Sequence, residues 1–202
     1  MRLVGMLDSP YVRRVAISLE LMGLDFELSQ ISVFRGVEEF KAVNPVVKAP
    51  SLVADDGTVL MDSTLIIAYA ERLAGKAASL MPENAADFAK AQRAIGLALA
   101  ACEKTVQMVY ETTLRPEAKQ HQPWLDRVTA QLAAAYGELE RLVPEGRFGG
   151  ANLNQADITS AVAWRFTQSR FPEAVPAAQH RRLAAHSARA EKLAAFAAMD
   201  FP

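Results

Sequence analysis

The chain has 202 residues, with 22 Lys and Arg against 23 Asp and Glu, a formal charge of -1. That balance excludes a dedicated nucleic-acid surface, which needs clustered excess Lys and Arg. A content of 51% hydrophobic and 22% charged residues excludes a disordered chain. Arg2 to Met6 is a short apolar run suited to a buried strand. Ser9 follows as a good N-cap, with Pro10 at the first helical position. Val12, Val15, Ala16, Leu19 and Met22 continue at helical spacing, and Gly23 closes the helix. Phe26 to Ile31 reads as a second strand, and Val37 to Val43 as a short helix before Asn44-Pro45. Ser51 to Ala54 and Thr58 to Met61 flank Asp55-Asp56-Gly57, a hairpin signal. Asp62-Ser63-Thr64 caps a third helix, in which Leu65, Ala68, Tyr69 and Leu73 fit one face.

The order strand, helix, strand, short helix, hairpin, helix requires a parallel crossover plus two antiparallel strands. It predicts a four-stranded mixed sheet with helices on its faces, an α/β thioredoxin-like arrangement. From about Ala85 the chain becomes Ala-rich and helical in period. Ala85 to Tyr110 reads as one long helix. Trp124, Val128, Leu132, Leu139 and Leu142 share a face of another, ended by Pro144. A third starts near Asn154, where Asn154 and Asp157 form a capping-box-like pair and Leu153 and Ile158 take the staple positions. The expected organisation is a thioredoxin-like domain over 1–76, a linker over 77–84 and an all-helical domain over 85–202.

The lone Cys102 cannot form an internal disulfide, a zinc knuckle or a Cys-x-x-Cys redox pair, and reads as a small buried residue. No metal site is expected. The first ten residues do not read as a signal peptide, and no stretch approaches the ~18 apolar residues of a membrane span. A soluble, cytoplasmic protein is the expectation.

Chemistry concentrates at helix starts and at one proline. Ser9 stands just past the first strand, where open α/β sheets bind ligands, and where a helix N-terminus favours an anion. Its plain structural alternative is a cap. Lys48-Ala49-Pro50 precedes the hairpin. A cis Ala49–Pro50 bond would turn the Ala49 N–H and C=O toward an extended, peptide-like ligand, with the Lys48 cation beside it. The alternative is a trans proline in an ordinary loop. At Asp62-Ser63 the hydroxyl and helix N–H groups favour a carboxylate while Asp62 favours an ammonium, as the end of an amino acid would require. Here too capping is the alternative. Arg13 and Arg14 are read as surface charges, or as stems packed on a neighbouring helix, without a part in the chemistry. A groove that takes an amino-acid end, a peptide-like middle and a carboxylate end has the shape of glutathione.

Ser9-Pro10-Tyr11-Val12-Arg13-Arg14-Val15, Asn44-Pro45-Val46-Val47-Lys48-Ala49-Pro50, Asp62-Ser63 and Asn154-Gln155-Ala156-Asp157-Ile158 together resemble a cytosolic-type glutathione transferase over essentially the whole chain. The Ser-Pro-aromatic opening is most similar to the serine-type classes and their bacterial relatives. The resemblance implies glutathione as co-substrate, with no permanently bound cofactor. It implies that Ser9 donates a hydrogen bond to the glutathione sulfur, as the catalytic residue. Ala49, before a cis Pro50, would bind the cysteinyl backbone, and Lys48 the glycyl carboxylate. Asp62 and Ser63 would hold the γ-glutamyl end. Asp62 stands where Glu is commoner and is one methylene shorter. A hydrophobic electrophile would be received in a pocket between the two domains, with Leu7, Val12, Phe34, Met108 and Tyr110 as candidate walls. The resemblance also implies a homodimer. Glutathione-dependent isomerases and peroxidases, and non-catalytic binding modules of this fold, are the alternatives.

Overall fold

The computed structural model describes residues 1–143 and 153–201. Pro144, expected to end a helix, lies outside the described residues. The chain forms two compact units, Met1–Met81 with Lys192–Pro202, and Pro82–Glu191. The last eleven residues thus group with the N-terminal unit, whereas the sequence reading placed them with the helical half.

The first unit contains β1 (Arg2–Val4), α1 (Pro10–Leu21), β2 (Glu27–Ser29), α2 (Val37–Val43), β3 (Ser51–Val53), β4 (Val59–Met61) and α3 (Ser63–Ala74). The strands form one mixed sheet in the order β2-β1-β3-β4. β1 runs parallel to β2 with Leu3 opposite Leu28, and antiparallel to β3 with Leu3 opposite Leu52. β3 and β4 are antiparallel, joined by the expected hairpin. In that turn Gly57 has φ +85° and the Thr58 N–H donates to Asp56 Oδ1 at 2.9 Å. This is the thioredoxin-like sheet.

α1 buries Val12, Val15, Ala16 and Leu19, and packs against α3. The buried face of α3 differs from the expected one. Ser63, Ile66, Ile67 and Ala70 are enclosed, while Leu65, Ala68 and Leu73 are exposed. The helix is apolar on two sides, so its period alone cannot choose between them. The side that meets α1 is the one carrying both isoleucines.

Arg13 and Arg14 also differ from expectation: they are 0% and 2% exposed. The Arg13 guanidinium donates from Nε to the Met199 carbonyl at 2.8 Å and from Nη2 to the Phe196 carbonyl at 3.3 Å. It also lies over the Phe196 and Phe201 rings, 5.8 and 5.3 Å from their centroids. These carbonyls belong to the last turn of α8 (Ala194–Ala198) and its C-cap. A cation there satisfies acceptors that the helix leaves open and suits the negative end of its dipole.

The second unit is helical: α4 (Ala85–Val109), α5 (Gln122–Leu142), α6 (Gln155–Arg170) and α7 (Arg181–Ala190). α4 packs on α5 and α6, and α6 on α7. A buried hydroxyl chain joins three of them. Thr167 Oγ1 of α6 lies 2.7 Å from Thr105 Oγ1 of α4 and 2.7 Å from the Tyr136 hydroxyl of α5. The Tyr136 hydroxyl also donates to the Ala163 carbonyl at 2.8 Å. α5 buries Val128, Leu132 and Leu139 as expected, but Trp124 and Leu142 at its ends are partly exposed. α4 closes in a π-turn over Tyr110–Leu114, held by the buried Glu111. That carboxylate accepts from Arg115 Nε and from the His121 N–H, both at 2.8 Å. The capping box of α6 forms as read: Asn154 Oδ1 accepts from the Ala156 and Asp157 N–H groups, and Asp157 Oδ2 accepts from the Asn154 N–H. Among the described residues no helix is long and apolar enough to cross a membrane.

Candidate functional site

The site is built where β1 gives way to α1. Gly5 has φ +142°, in the region that favours glycine. A Cβ there would stand 2.6 Å from Val12 Cγ2 and 3.2 Å from Ala49 Cβ. The missing side chain therefore lets the strand end, the first turn of α1 and the Ala49 loop approach one another. The turn that follows is closed by the Ser9 N–H on the Met6 carbonyl at 3.1 Å.

Ser9 occupies the N-cap position with φ -78° and ψ 122°, and Pro10 opens the helix. Its hydroxyl makes no capping hydrogen bond. Ser9 thus caps the helix through its carbonyl, which accepts from the Arg13 N–H at 3.0 Å, and not through its side chain. Ser9 is half-buried at a helix start, with a hydroxyl that no described residue engages.

The Lys48-Ala49-Pro50 segment is shaped by Asn44, which the sequence marks only as the end of the short helix and the head of the motif. Asn44 is buried; its Oδ1 accepts from the Val46 N–H at 3.0 Å and its Nδ2 donates to Ser51 Oγ at 2.9 Å. Ser51 Oγ in turn donates to the Lys48 carbonyl at 2.8 Å. An Asn before a proline is an Asx-turn signal, so the sequence held the hint. Within this braced loop Val47 has φ +54°, an outlier for a β-branched residue. The Ala49–Pro50 peptide is cis.

Asp62 is the N-cap of α3 at φ +73°, and its Oδ1 accepts from the Thr64 N–H at 2.9 Å. Its Oδ2 lies 4.0 Å from Lys48 Nζ, both side chains being about half exposed. Such a pair stabilises the fold little. It places a cation and a carboxylate side by side, each open to solvent. Ser63 is only 4% exposed, and its Oγ accepts from Arg14 Nη1 at 3.1 Å. The same nitrogen donates to Thr64 Oγ1 at 3.3 Å. Arg14 thereby ties the second turn of α1 to the start of α3. Ser9, Lys48, Ala49, Pro50, Asp62 and Ser63 all follow or precede one end of the strands, where Val4 closes β1 opposite Ser51 and Ser51 opens β3 opposite Met61.

The candidate pocket walls fare differently. Val12 is fully enclosed with Cγ2 against Gly5, and is a core residue rather than a wall. Met108 is buried in the helical unit, where its Sδ accepts from Thr129 Oγ1 at 3.9 Å. Leu7 is buried, while Phe34 and Tyr110 are 57% and 48% exposed. Apolar character alone could not separate core from surface at these positions.

A two-unit chain, thioredoxin-like then helical, with a free hydroxyl at the first helix start, defines the class to which the comparisons point. Residues 3–78 match the family described as Glutathione S-transferase, N-terminal domain. Residues 122–189 match Glutathione S-transferase, C-terminal domain. The chain is 28% identical over 163 residues to an uncharacterized GST-like protein, YibF, of Escherichia coli K12, covering 81% of this chain and 80% of that protein. Its fold is similar to a glutathione S-transferase from Methylobacterium radiotolerans in complex with glutathione sulfonate. That likeness has a TM-score of 0.89 at 29% identity, over 98% of this chain and 93% of the other. It is also similar to a glutathione transferase family member from Pseudomonas fluorescens Pf-5 with bound glutathione. There the TM-score is 0.86 at 26% identity, over 100% and 98% of the two chains. The chain belongs to the glutathione S-transferase family.

Proposed function

We propose that this chain is a glutathione transferase that binds glutathione at the strand ends described above and conjugates it to hydrophobic electrophiles. The observation that carries the reading is the uncommitted Ser9 hydroxyl at the N-terminus of α1. The peptide-like middle of the ligand pairs with Ala49 before Pro50, the glycyl carboxylate meets Lys48, and the γ-glutamyl end meets Asp62 and Ser63. Support comes from the family, from glutathione bound in the Pseudomonas relative, and from the open cation and carboxylate at Lys48 and Asp62.

The chemistry asked of Ser9 is modest. A free thiol titrates near pH ~8.5, so little of it is thiolate at neutral pH. Lowering that by about two units needs roughly 2.7 kcal/mol of preference for the anion. One hydrogen bond to a charged acceptor supplies about 1.5–3 kcal/mol. A helix N-terminus adds about 0.3–1 kcal/mol. The two suffice without a base, so Ser9 acts as a neutral donor. The thiol proton leaves to solvent. The thiolate then forms a carbon–sulfur bond at the electrophilic carbon, and the leaving group departs with the displaced electron pair. Phe34 and Tyr110, being exposed, remain candidate contacts for the electrophile. The apolar outer face of α3, Leu65 and Leu73, supports a homodimer, which light scattering on the purified chain tests.

Ser9→Ala is expected to lower the conjugation rate at saturating glutathione tenfold or more, about the worth of one such hydrogen bond, while the tripeptide still binds. Steady-state kinetics with a chloronitrobenzene measures it, and an unchanged rate removes Ser9 from the mechanism. Asp62→Ala and Ser63→Ala are expected to weaken glutathione binding more than they slow the chemical step. Calorimetric titration beside the kinetics separates the two effects, and unchanged affinity rejects the γ-glutamyl assignment.

A further inference from the structure

We propose that Arg13 is a positioning residue that transmits the hold of the chain's C-terminal segment to Ser9, and so sets how strongly the glutathione thiolate is stabilised. The inference rests on the glutathione reading above and concerns what keeps the Ser9 hydroxyl in place.

Ser9 does not place itself. Its hydroxyl takes no part in capping α1, so the backbone that carries it sets where that oxygen lies. That backbone is held on two sides. The Ser9 N–H donates to the Met6 carbonyl at 3.1 Å, and the Ser9 carbonyl accepts from the Arg13 N–H at 3.0 Å. Pro10, between them, has no N–H to add. Arg13 is the residue that closes the first turn of α1 on Ser9.

Arg13 is fixed in turn from the far end of the chain. Its Nε donates to the Met199 carbonyl at 2.8 Å and its Nη2 to the Phe196 carbonyl at 3.3 Å. The rings of Phe196 and Phe201 lie against the same guanidinium. Two acceptors set the direction of the rigid donor fork, and the rings limit its swing. Burying a guanidinium carries a desolvation cost, and an apolar side chain of similar volume would pack α1 on the C-terminal segment as well. What the fork adds is direction. Hydrogen bonds weaken steeply with misalignment, so a slip of α1 along its axis that apolar packing tolerates would break these contacts. The same slip would carry the Ser9 hydroxyl away from the sulfur, where one hydrogen bond supplies most of the preference for the anion. Arg13 acts on the thiolate through Ser9, without touching the ligand.

The test reads the thiol pKa of bound glutathione from the ultraviolet absorbance of the thiolate, beside steady-state kinetics. In the wild-type chain that thiol is expected to titrate about two pH units below the free one. Arg13→Met, which keeps an apolar stem and loses every donor, is expected to raise it by about one pH unit. The variant's kcat at pH ~6 then falls about fivefold or more, with the KM for glutathione changed less than about twofold. Arg13→Lys, which keeps a cationic donor, is expected to recover about half of the change or more. In a Ser9→Ala background Arg13→Met is expected to move the thiol pKa by less than about 0.3, because the two residues act in series. An unchanged thiol pKa in Arg13→Met, a full change added on top of Ser9→Ala, or an Arg13→Lys as impaired as Arg13→Met overturns the proposal. Should Arg13→Met fail to fold, Phe201→Ala removes one ring from the guanidinium and leaves both carbonyls. It is expected to raise the thiol pKa by about 0.5 at unchanged KM, and an unchanged pKa there overturns the proposal as well. A wild-type chain that binds no glutathione, or whose bound thiol titrates where the free one does, overturns the glutathione reading itself. A lowered thiol pKa that survives in Arg13→Met overturns only the role of Arg13.

Discussion

Gly5 governs how closely three parts of the first unit approach. At φ +142°, with Val12 Cγ2 only 2.6 Å from a would-be Cβ, Gly5→Ala brings both backbone strain and overpacking. Val12 is β-branched and fully enclosed, so it has no room to yield. The substitution is expected to destabilise the fold by about 1–3 kcal/mol, read from urea unfolding; a midpoint within error of wild type would show that the loop adapts. The same scale shows what the sequence could and could not reveal. Ser9, Asp62 and Ser63 are legible because helix starts follow local rules of residue type and spacing. Arg13 and Arg14 are not, because a charged residue reads as surface unless its partners are known. Those partners lie far along the chain: Ser63 is 49 residues from Arg14, and Met199 is 186 from Arg13.

At the scale of elements, boundaries follow local chemistry and faces follow tertiary contact. α2 spans Val37–Val43 as expected, because Gly36 and Asn44 bracket it. The hairpin and the capping box likewise rest on a few adjacent residues. Asn154 satisfies two first-turn donors of α6, so Asn154→Ala is expected to cost about 1 kcal/mol. Denaturant unfolding against wild type measures this, and Asn154→Asp should retain most of the stability. The inward face of α3 escapes a periodicity argument because Leu65 and Leu73 fit the helical period as well as Ile66 and Ala70 do; only packing on α1 separates them. The π-turn after α4 was beyond a periodicity argument, since it depends on a buried carboxylate reaching forward to the His121 N–H.

For the whole molecule, one buried histidine predicts a dependence of stability on pH. His186 is buried and its Nε2–H donates to the Asp157 carbonyl at 2.9 Å, joining α7 to the start of α6. Burial, helped by the Arg189 guanidinium, pushes its pKa from the usual 6.5 down to about 4. A depressed histidine pKa means the unfolded chain takes up a proton that the folded one refuses. The stability due to neutral His186 is thus fully present above about pH 6.5 and declines as pH falls toward 4. The slope is about 1.4 kcal/mol per pH unit for one such group. Urea unfolding at pH 7.5, 6 and 5 is expected to show a steeper decline for wild type than for His186→Gln; parallel profiles would assign the acid sensitivity elsewhere.

The docking of Phe196, Met199 and Phe201 around Arg13 carries a consequence for biosynthesis. The residues proposed to hold glutathione leave the ribosome early, yet α1 lacks its Arg13 acceptors until translation reaches Met199. A chain stalled after Glu191 would leave the Arg13 guanidinium without the Phe196 and Met199 carbonyls, so the enclosure of α1 waits on residues made much later.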